Sequence, residues 1–258
     1  MFISLMYHDV VDEVCEHMSG FLGKAADMYK VSCSQFRKQL DAIHSINCQA
    51  YDMHRPLDMV NFTFDDGGIS SLRAADMLEG YGLHGAFFIP TKFIGKKGFM
   101  TSDNIRDLYK RGHQVGSHSY SHPLRMSACP IHEIAGEWRT SVTDLEDVLG
   151  ACVISASVPG GYYSKIVAEE AAKAGIIVLF TSEPTKCINF VDSCVVIGRF
   201  AVRRDDSFEK VMSMARGDPD TLFLQSVAWK AKKVVKAIGG AHWFKLRRFL
   251  VGDFSREV

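Results

Sequence analysis

No uninterrupted apolar run in this sequence approaches the ~18 to 20 residues that a helix needs to cross a bilayer, so the chain reads as soluble, or at most peripheral to a membrane. Net charge is absent too. Thirty basic residues balance thirty acidic ones, which removes the broad attraction that binding to nucleic acid relies on. The seven cysteines are an odd number and include no Cys-x-x-Cys pair, which argues against a zinc knuckle or a redox dithiol. Free thiols in a reducing cytoplasm are the expectation. The opening MFISLMYHDV lacks a basic leader and a small-residue cleavage site, so it predicts a first strand in place of a signal peptide. Linkers, repeats and low-complexity stretches are missing as well. A hydrophobic content of 47% excludes a disordered chain.

What is present is an alternation of short apolar runs with helical patterns. Residues 2–6 predict a strand. Phe36, Leu40 and Ile43 then recur at helical spacing behind Ser32 or Ser34 as the cap. VNFTF at 60–64, a helix from about Ser70 to Glu79 and GAFFIP at 85–90 follow. Next come a helix near 102–111 opened by Ser102, the run HQVGSH, a long helix from Pro130 to about 149, and CVISASV at 152–158. A helix around 164–174 leads to IIVLFTS at 176–182 and CVVIGRFAV at 194–202. Apolar strands flanked by helices imply a parallel sheet covered by helices. About seven such units predict an α/β fold, a distorted (β/α) barrel forming one domain over 1–258, with a helical extension from about 206 to the end. Between Lys230 and Arg248 that extension carries seven basic and no acidic residues, interleaved with Trp229, Trp243 and Phe244. It is read as an amphipathic helix pair packed on the barrel, or as a peripheral contact with anionic lipid.

In a barrel of parallel strands, side chains just beyond the strands' carboxyl ends converge. Here those residues are His8, Asp65, Asp66, His118, His122 and the turn from Ser157 to Gly161. Adjacent carboxylates raise each other's pKa unless a cation compensates. His118 and His122, four residues apart, are able to present two imidazoles to one ion. With one aspartate they make a His₂-carboxylate set that leaves the second aspartate free as a base. Asp-Asp-Gly alone is commonly a turn, and His-x₃-His alone is commonly a helix face. Both at the ends of successive strands, with Gly67 and Gly116 permitting close approach, predict a site.

Thr63-Phe64-Asp65-Asp66-Gly67, followed by Gly112-His113-Gln114-Val115-Gly116-Ser117-His118-Ser119-Tyr120-Ser121-His122-Pro123, resembles the first two motifs of the polysaccharide deacetylases, the NodB-homology carbohydrate esterases. The resemblance runs from Tyr7-His8 to Thr181-Ser182-Glu183-Pro184. It implies a distorted (β/α) barrel and metal-dependent hydrolysis of an N-acetyl or O-acetyl group on a sugar. By position it implies Asp65 as general base and Asp66, His118 and His122 as ligands of a divalent metal, usually zinc. It further implies the backbone N–H of Gly160 as an oxyanion donor. From the residues themselves, Tyr120, Tyr162 and Tyr163 are expected either to form an aromatic wall that stacks on a sugar ring, with Tyr162 in the substrate site, or to fill the core.

Two departures stand out. Where the family carries an arginine before x-Pro, this chain reads Ser157-Val158-Pro159, and Arg199, at the end of the CVVIG run, is the proposed replacement that orients the base. Where the family has a C-terminal Leu-x-His, this chain reads Thr221-Leu222-Phe223-Leu224-Gln225. Relatives with permuted strand order draw that histidine from an N-terminal Tyr-His, which makes His8 the expected general acid. His113 is assigned a structural role. His17, His44, His54, His84, His132 and His242 are expected at the surface or in caps.

The leading expectation is a cytoplasmic metal-dependent deacetylase, free in the cytoplasm or peripheral to the inner face of the membrane. Its substrate would be an acetylated nucleotide sugar or lipid-linked saccharide from the building of a surface polysaccharide such as O-antigen or capsule, with no nucleic-acid partner. The alternatives are a hydrolase of a non-sugar amide on the same scaffold, and a degenerate barrel that binds sugar or metal without turnover.

Overall fold

The computed structural model describes residues 2–12, 18–49 and 59–231. Cys15, His17, His54, His242 and the basic segment from Lys232 onward lie outside them. Strand β1 (Phe2–Tyr7) leads to β2 (Asp9–Val11) and, after a helical turn α1 (Lys24–Asp27), to β3 (Lys30–Ser32) and helix α2 (Cys33–Gln49). The chain then alternates through β4 (Met59–Phe64), α3 (Ser71–Glu79), β5 (Gly85–Ile89), α4 (Ser102–Lys110), β6 (Gln114–Ser117), α5 (Ile131–Leu149), β7 (Ser155–Ser157), α6 (Lys165–Lys173) and β8 (Val178–Phe180). An antiparallel excursion β9 (Ile188–Val191) precedes β10 (Cys194–Ile197), β11 (Phe200–Ala201) and α7 (Phe208–Ala215). A further helix covers 219–231. No helix among the described residues is long and apolar enough to cross a membrane.

Helices α2 and α6 start at serine caps. Ser32 Oγ accepts from the Gln35 N–H at the head of α2, and Ser164 caps α6. For α4 the cap is Thr101 and not Ser102. Thr101 Oγ1 accepts from the Asn104 N–H while the Asn104 side chain accepts from the Thr101 N–H, a reciprocal box that Ser102, one residue inside, is not placed to make.

The sheet order is β11-β1-β4-β5-β6-β7-β8-β10-β9, and every neighbouring pair is parallel except β10–β9. β2 and β3 form a separate two-stranded sheet. The seven expected strands become nine because the run 194–202 divides in two and β9 is added at the edge. The division has a consequence for shape. β10 ends at Ile197 and β11 begins at Phe200, yet they pair near opposite ends of the strand order. Three residue steps span only about 11 Å. The sheet therefore curls until its two ends nearly meet, and Gly198-Arg199 forms the seam. A side chain at 198 would collide with the Glu183 carbonyl, 2.4 Å from an ideal Cβ, so this crossing requires glycine.

Alternation along the strands separates two layers. Phe62, Phe64, Phe87 and Ile89 join Leu40, Trp138 and Leu145 in the main core between sheet and helices. Ala86, Phe88 and Phe180 form a small cluster of their own. The Arg199 guanidinium lies 5.6 Å from the Phe88 ring centroid and 5.8 Å from that of Phe180, so the arginine at the seam points toward this second cluster.

Candidate functional site

Because the strands are parallel, β1, β4, β6 and β7 deliver their following residues to one rim. These are His8 after β1, Asp65 and Asp66 after β4, His118 after β6, and the Pro159–Gly161 turn after β7. Registers Tyr7↔Phe64 and Ile89↔Ser117 bring these ends level. The backbone there is unusual. Asp66 (φ 72°), Ser119 (φ 64°) and His122 (φ 55°) are three of the four non-glycine residues with left-handed φ among the described residues. Such conformations cost about 1–3 kcal/mol each and persist where surrounding bonds fix them. Those bonds are visible. The Ser119 N–H donates to Ser117 Oγ, the His122 N–H to Ser119 Oγ, and the Ser121 N–H and hydroxyl both to the Glu137 carboxylate. His118 and His122 thus belong to a braced turn and not to a helix face. Gly116, just before, is required by packing, since a Cβ there would sit 2.6 Å from the Ser155 carbonyl oxygen.

Asp66, His118 and His122 converge. One ligand atom from each lies within 4.8 Å of the others. Asp66 Oδ1 is 3.3 Å from His118 Nε2 and 3.4 Å from His122 Nε2, and it is buried without a hydrogen bond. A buried carboxylate oxygen that faces two imidazole nitrogens and has no hydrogen bond of its own is the chemistry of a cation site, so these residues fit a divalent metal. Burial pushes the Asp66 carboxyl up, but His8, His118 and His122 outweigh it and hold the group well below its ordinary value. Burial lowers His118, and Asp65 and Asp66 reverse this so that its pKa ends raised.

Asp65 is more deeply buried than its neighbour and has different partners. Arg199, fully buried, donates from Nη1 to Oδ1 at 2.8 Å and from Nη2 to Oδ2 at 2.7 Å. The guanidinium is itself held by the Thr63 hydroxyl and the Thr181 carbonyl. Burial raises the Asp65 carboxyl, and Arg199 and His118 more than offset it, so it lies below its ordinary value and is ionised at neutral pH. The residue expected from position alone to replace the missing arginine is thus a bidentate partner of the expected base.

His8 Nε2 lies 4.0 Å from Asp66 Oδ2, and its ring stacks on Tyr29 at 4.5 Å. Gly160 adopts a left-handed turn (φ 63°), and Arg125 lies over the Tyr162 ring at 5.6 Å. Tyr163, half-buried like Tyr162, packs against the main core. His113 is structural, its ring accepting from the Gly85 N–H and meeting Glu79. Cys33, Cys129, Cys152, Cys187 and Cys194 are free thiols.

Sequence reasoning missed Tyr29, Thr63 and Phe21, the last with its ring 4.9 Å from that of His122. It also gave no role to Ser157, which touches both Asp65 and His118. Thr63 and Ser157 carried a usable signal, since each lies on an inward-facing strand position within two residues of the rim. Tyr29 and Phe21 lie in loops and carried none.

Residues 52–179 match a family model described as polysaccharide deacetylase. A Bacillus subtilis (strain 168) protein, YxkH, provisionally named for the same activity, is 26% identical over 126 residues, 48% of this chain and 45% of its own. The match therefore spans under half of that relative. Among solved structures, a polysaccharide deacetylase from Bacillus cereus superposes with TM-score 0.69 at 19% identity, covering 83% of this chain and 68% of that one. The Streptococcus pyogenes deacetylase PplD, solved with acetate, gives 0.66 at 17% identity, covering 83% and 97%. IcaB from Ammonifex degensii gives 0.67 at 23% identity, again covering 83% and 97%. At these identities the likeness is one of fold, a mostly parallel curled sheet wrapped by helices.

Proposed function

We propose, from the premise that this chain carries a polysaccharide deacetylase domain over residues 52–179, that it is a metal-dependent hydrolase removing an acetyl group from a saccharide. The observation that carries this reading is the pairing of two differently built aspartates. Asp66 faces His118 and His122, and Asp65 beside it is clamped by Arg199. A degenerate barrel would have no use for a buried arginine recruited across the seam to replace the one that this chain lacks before Val158-Pro159.

The roles follow from the partners. Asp66, His118 and His122 would hold a divalent ion, for which zinc suits a His₂-carboxylate set. Bound there, the ion supplies Lewis acidity to a carbonyl oxygen and to water. Asp65, ionised and held at both oxygens by Arg199, accepts the proton of the attacking water as the water oxygen bonds to the acyl carbon. The Gly160 N–H serves the developing oxyanion. As the acyl carbon–nitrogen or carbon–oxygen bond breaks, His8 returns a proton to the departing sugar.

The finer reading of the substrate is a surface-polysaccharide precursor such as a nucleotide sugar or a lipid-linked saccharide, handled in the cytoplasm. It is supported by aromatic and basic groups at the rim. Tyr29 lies between His8 and Arg203, whose guanidinium is 5.9 Å from its ring, and Arg125 lies over Tyr162. Contact with an anionic membrane belongs to the same proposal. Phe223 and Leu224, 67% and 66% exposed on the helix leading into the basic segment, support it.

The test is metal analysis of the purified protein followed by acetate release from a panel of N- and O-acetylated nucleotide sugars and lipid-linked sugars. Activity is expected to require bound metal. Asp65→Asn should retain metal with turnover reduced by ~10² to 10⁴, and His118→Ala should lose metal. A folded, metal-loaded protein that releases acetate from none of the panel would overturn the reading.

A further inference from the structure

Ser157 stands where the resembled motif has arginine, and the reading above assigns it no task. It is the last residue of β7 and fully buried. Its hydroxyl lies 3.0 Å from Asp65 Oδ1 and 2.5 Å from His118 Nδ1. The Ser157 carbonyl oxygen lies 3.0 Å from the same Nδ1.

Donor and acceptor counting fixes the directions of these bonds. An ionised carboxylate only accepts, so the single hydroxyl proton of Ser157 goes to Asp65. At His118 the hydroxyl oxygen must then accept, and the Ser157 carbonyl can only accept. Both therefore require the imidazole proton on Nδ1. That leaves the His118 Nε2 lone pair facing Asp66 Oδ1, 3.3 Å away, which is the tautomer a metal ligand needs. One serine thus sets the orientation of two functional groups at once: it holds an oxygen of the base and fixes the ring of a ligand.

We infer that Ser157 is a positioning residue that joins the Asp65 carboxylate to the His118 imidazole through its hydroxyl. The inference rests on the assignment of Asp65 and His118 in the proposed function. Arginine at this position in the motif would supply charge to the base but could not accept a bond from the ring, because a guanidinium has no acceptor. In this chain the two tasks are divided. Arg199 brings the charge from the seam, and Ser157, small enough to leave that volume open, bridges base and ligand. The carbonyl of Ser157 also holds Nδ1, so loss of the hydroxyl alone should weaken the His118 arrangement without abolishing it.

The experiment compares wild type, Ser157→Ala and Ser157→Thr. Cobalt(II) is titrated into each metal-free protein and followed by its visible absorption, and steady-state kinetics are then run on the zinc-loaded proteins. Partners of metal ligands typically contribute ~10- to 100-fold in metal affinity or activity. The expected result for Ser157→Ala is a loss of about 10-fold in cobalt affinity with a shifted absorption band. Its kcat should fall by about 10-fold, with KM within about two-fold of wild type. Ser157→Thr, which keeps the hydroxyl on a strand position suited to a β-branched residue, is expected to restore both. Wild-type cobalt affinity and spectrum in Ser157→Ala would overturn the inference, and so would a loss in Ser157→Ala that a folded Ser157→Thr does not recover. The cobalt titration needs no substrate. A wild-type protein that binds cobalt but releases no acetate would therefore refute the proposed function while leaving the Ser157 inference to be decided by the metal data.

Discussion

Replacing Arg199 with methionine keeps an apolar stem of similar length at the seam and removes the charge. Asp65 is then a carboxylate with its largest compensating partner gone, in a site where both residues are buried and the contact was bidentate at 2.7 and 2.8 Å. Breaking a buried pair by removing one member typically destabilises a protein by about 3–5 kcal/mol, because the remaining charge keeps its desolvation penalty. For a chain of this size each kcal/mol moves the melting midpoint by ~2–4 °C, so Arg199→Met should melt roughly 10 °C below wild type. Thr63 and Thr181 would also lose their guanidinium donor. Asp65→Asn should be comparably costly, since it strands the arginine. The double variant Arg199→Met/Asp65→Asn leaves no buried charge at this place and should recover most of the loss. Thermal melts of the four metal-free proteins at one pH complete the cycle, and the absence of metal keeps ion binding from adding its own stabilisation. If Arg199→Met melts within about 2 °C of wild type, or the double variant is no better than the singles, the pair does not carry the energy assigned to it.

Two further outcomes are expected. His8→Ala should lower kcat by at least ~10-fold while leaving cobalt binding to the metal-free protein nearly unchanged, because His8 Nε2 is 4.0 Å from Asp66 Oδ2 and outside the set of three converging ligand atoms. An unchanged kcat would remove His8 as the proton donor. The metal-free protein should also lose stability on acidification. Asp65 and Asp66 both titrate below their ordinary value of 3.8 when folded, so the unfolded chain takes up protons first. Their stabilisation is full well above that value and is lost as pH falls below it, through the folded values. Melting temperature against pH should drop over that range in wild type and drop less in Asp65→Asn. Equal slopes would contradict the assigned shifts.

Much of this molecule was legible along the chain. The helical spacing of Phe36, Leu40 and Ile43 correctly predicts a buried face, because helix periodicity is a local property. Reading Asp65-Asp66 and His118-x₃-His122 as strand-end residues brings them to one rim, because parallel strands share a direction. The run 194–202 misled, since apolar content alone cannot report that Gly198 turns the chain from one end of the sheet to the other. Ser102 misled for a smaller reason, as Thr101 and Asn104 make the reciprocal bonds. Tyr162 and Tyr163 are indistinguishable in sequence, yet Tyr162 meets Arg125 while Tyr163 packs against the main core.

The alternation of short apolar runs with helical patterns, together with the Asp65-Asp66 and His118-x₃-His122 motifs, determined by sequence alone the class of fold and the residues able to hold a cation. Those properties depend on composition and on short-range periodicity, which a linear chain displays. The tertiary structure alone decided that Arg199, 134 residues from Asp65, closes on it as a bidentate partner, and that Ser157 reaches both Asp65 and His118. The physical reason is the curl of the sheet. It brings β10 and β11 within three residues of each other at the seam, and the partners that meet inside the barrel are set by that curl and not by any spacing along the chain.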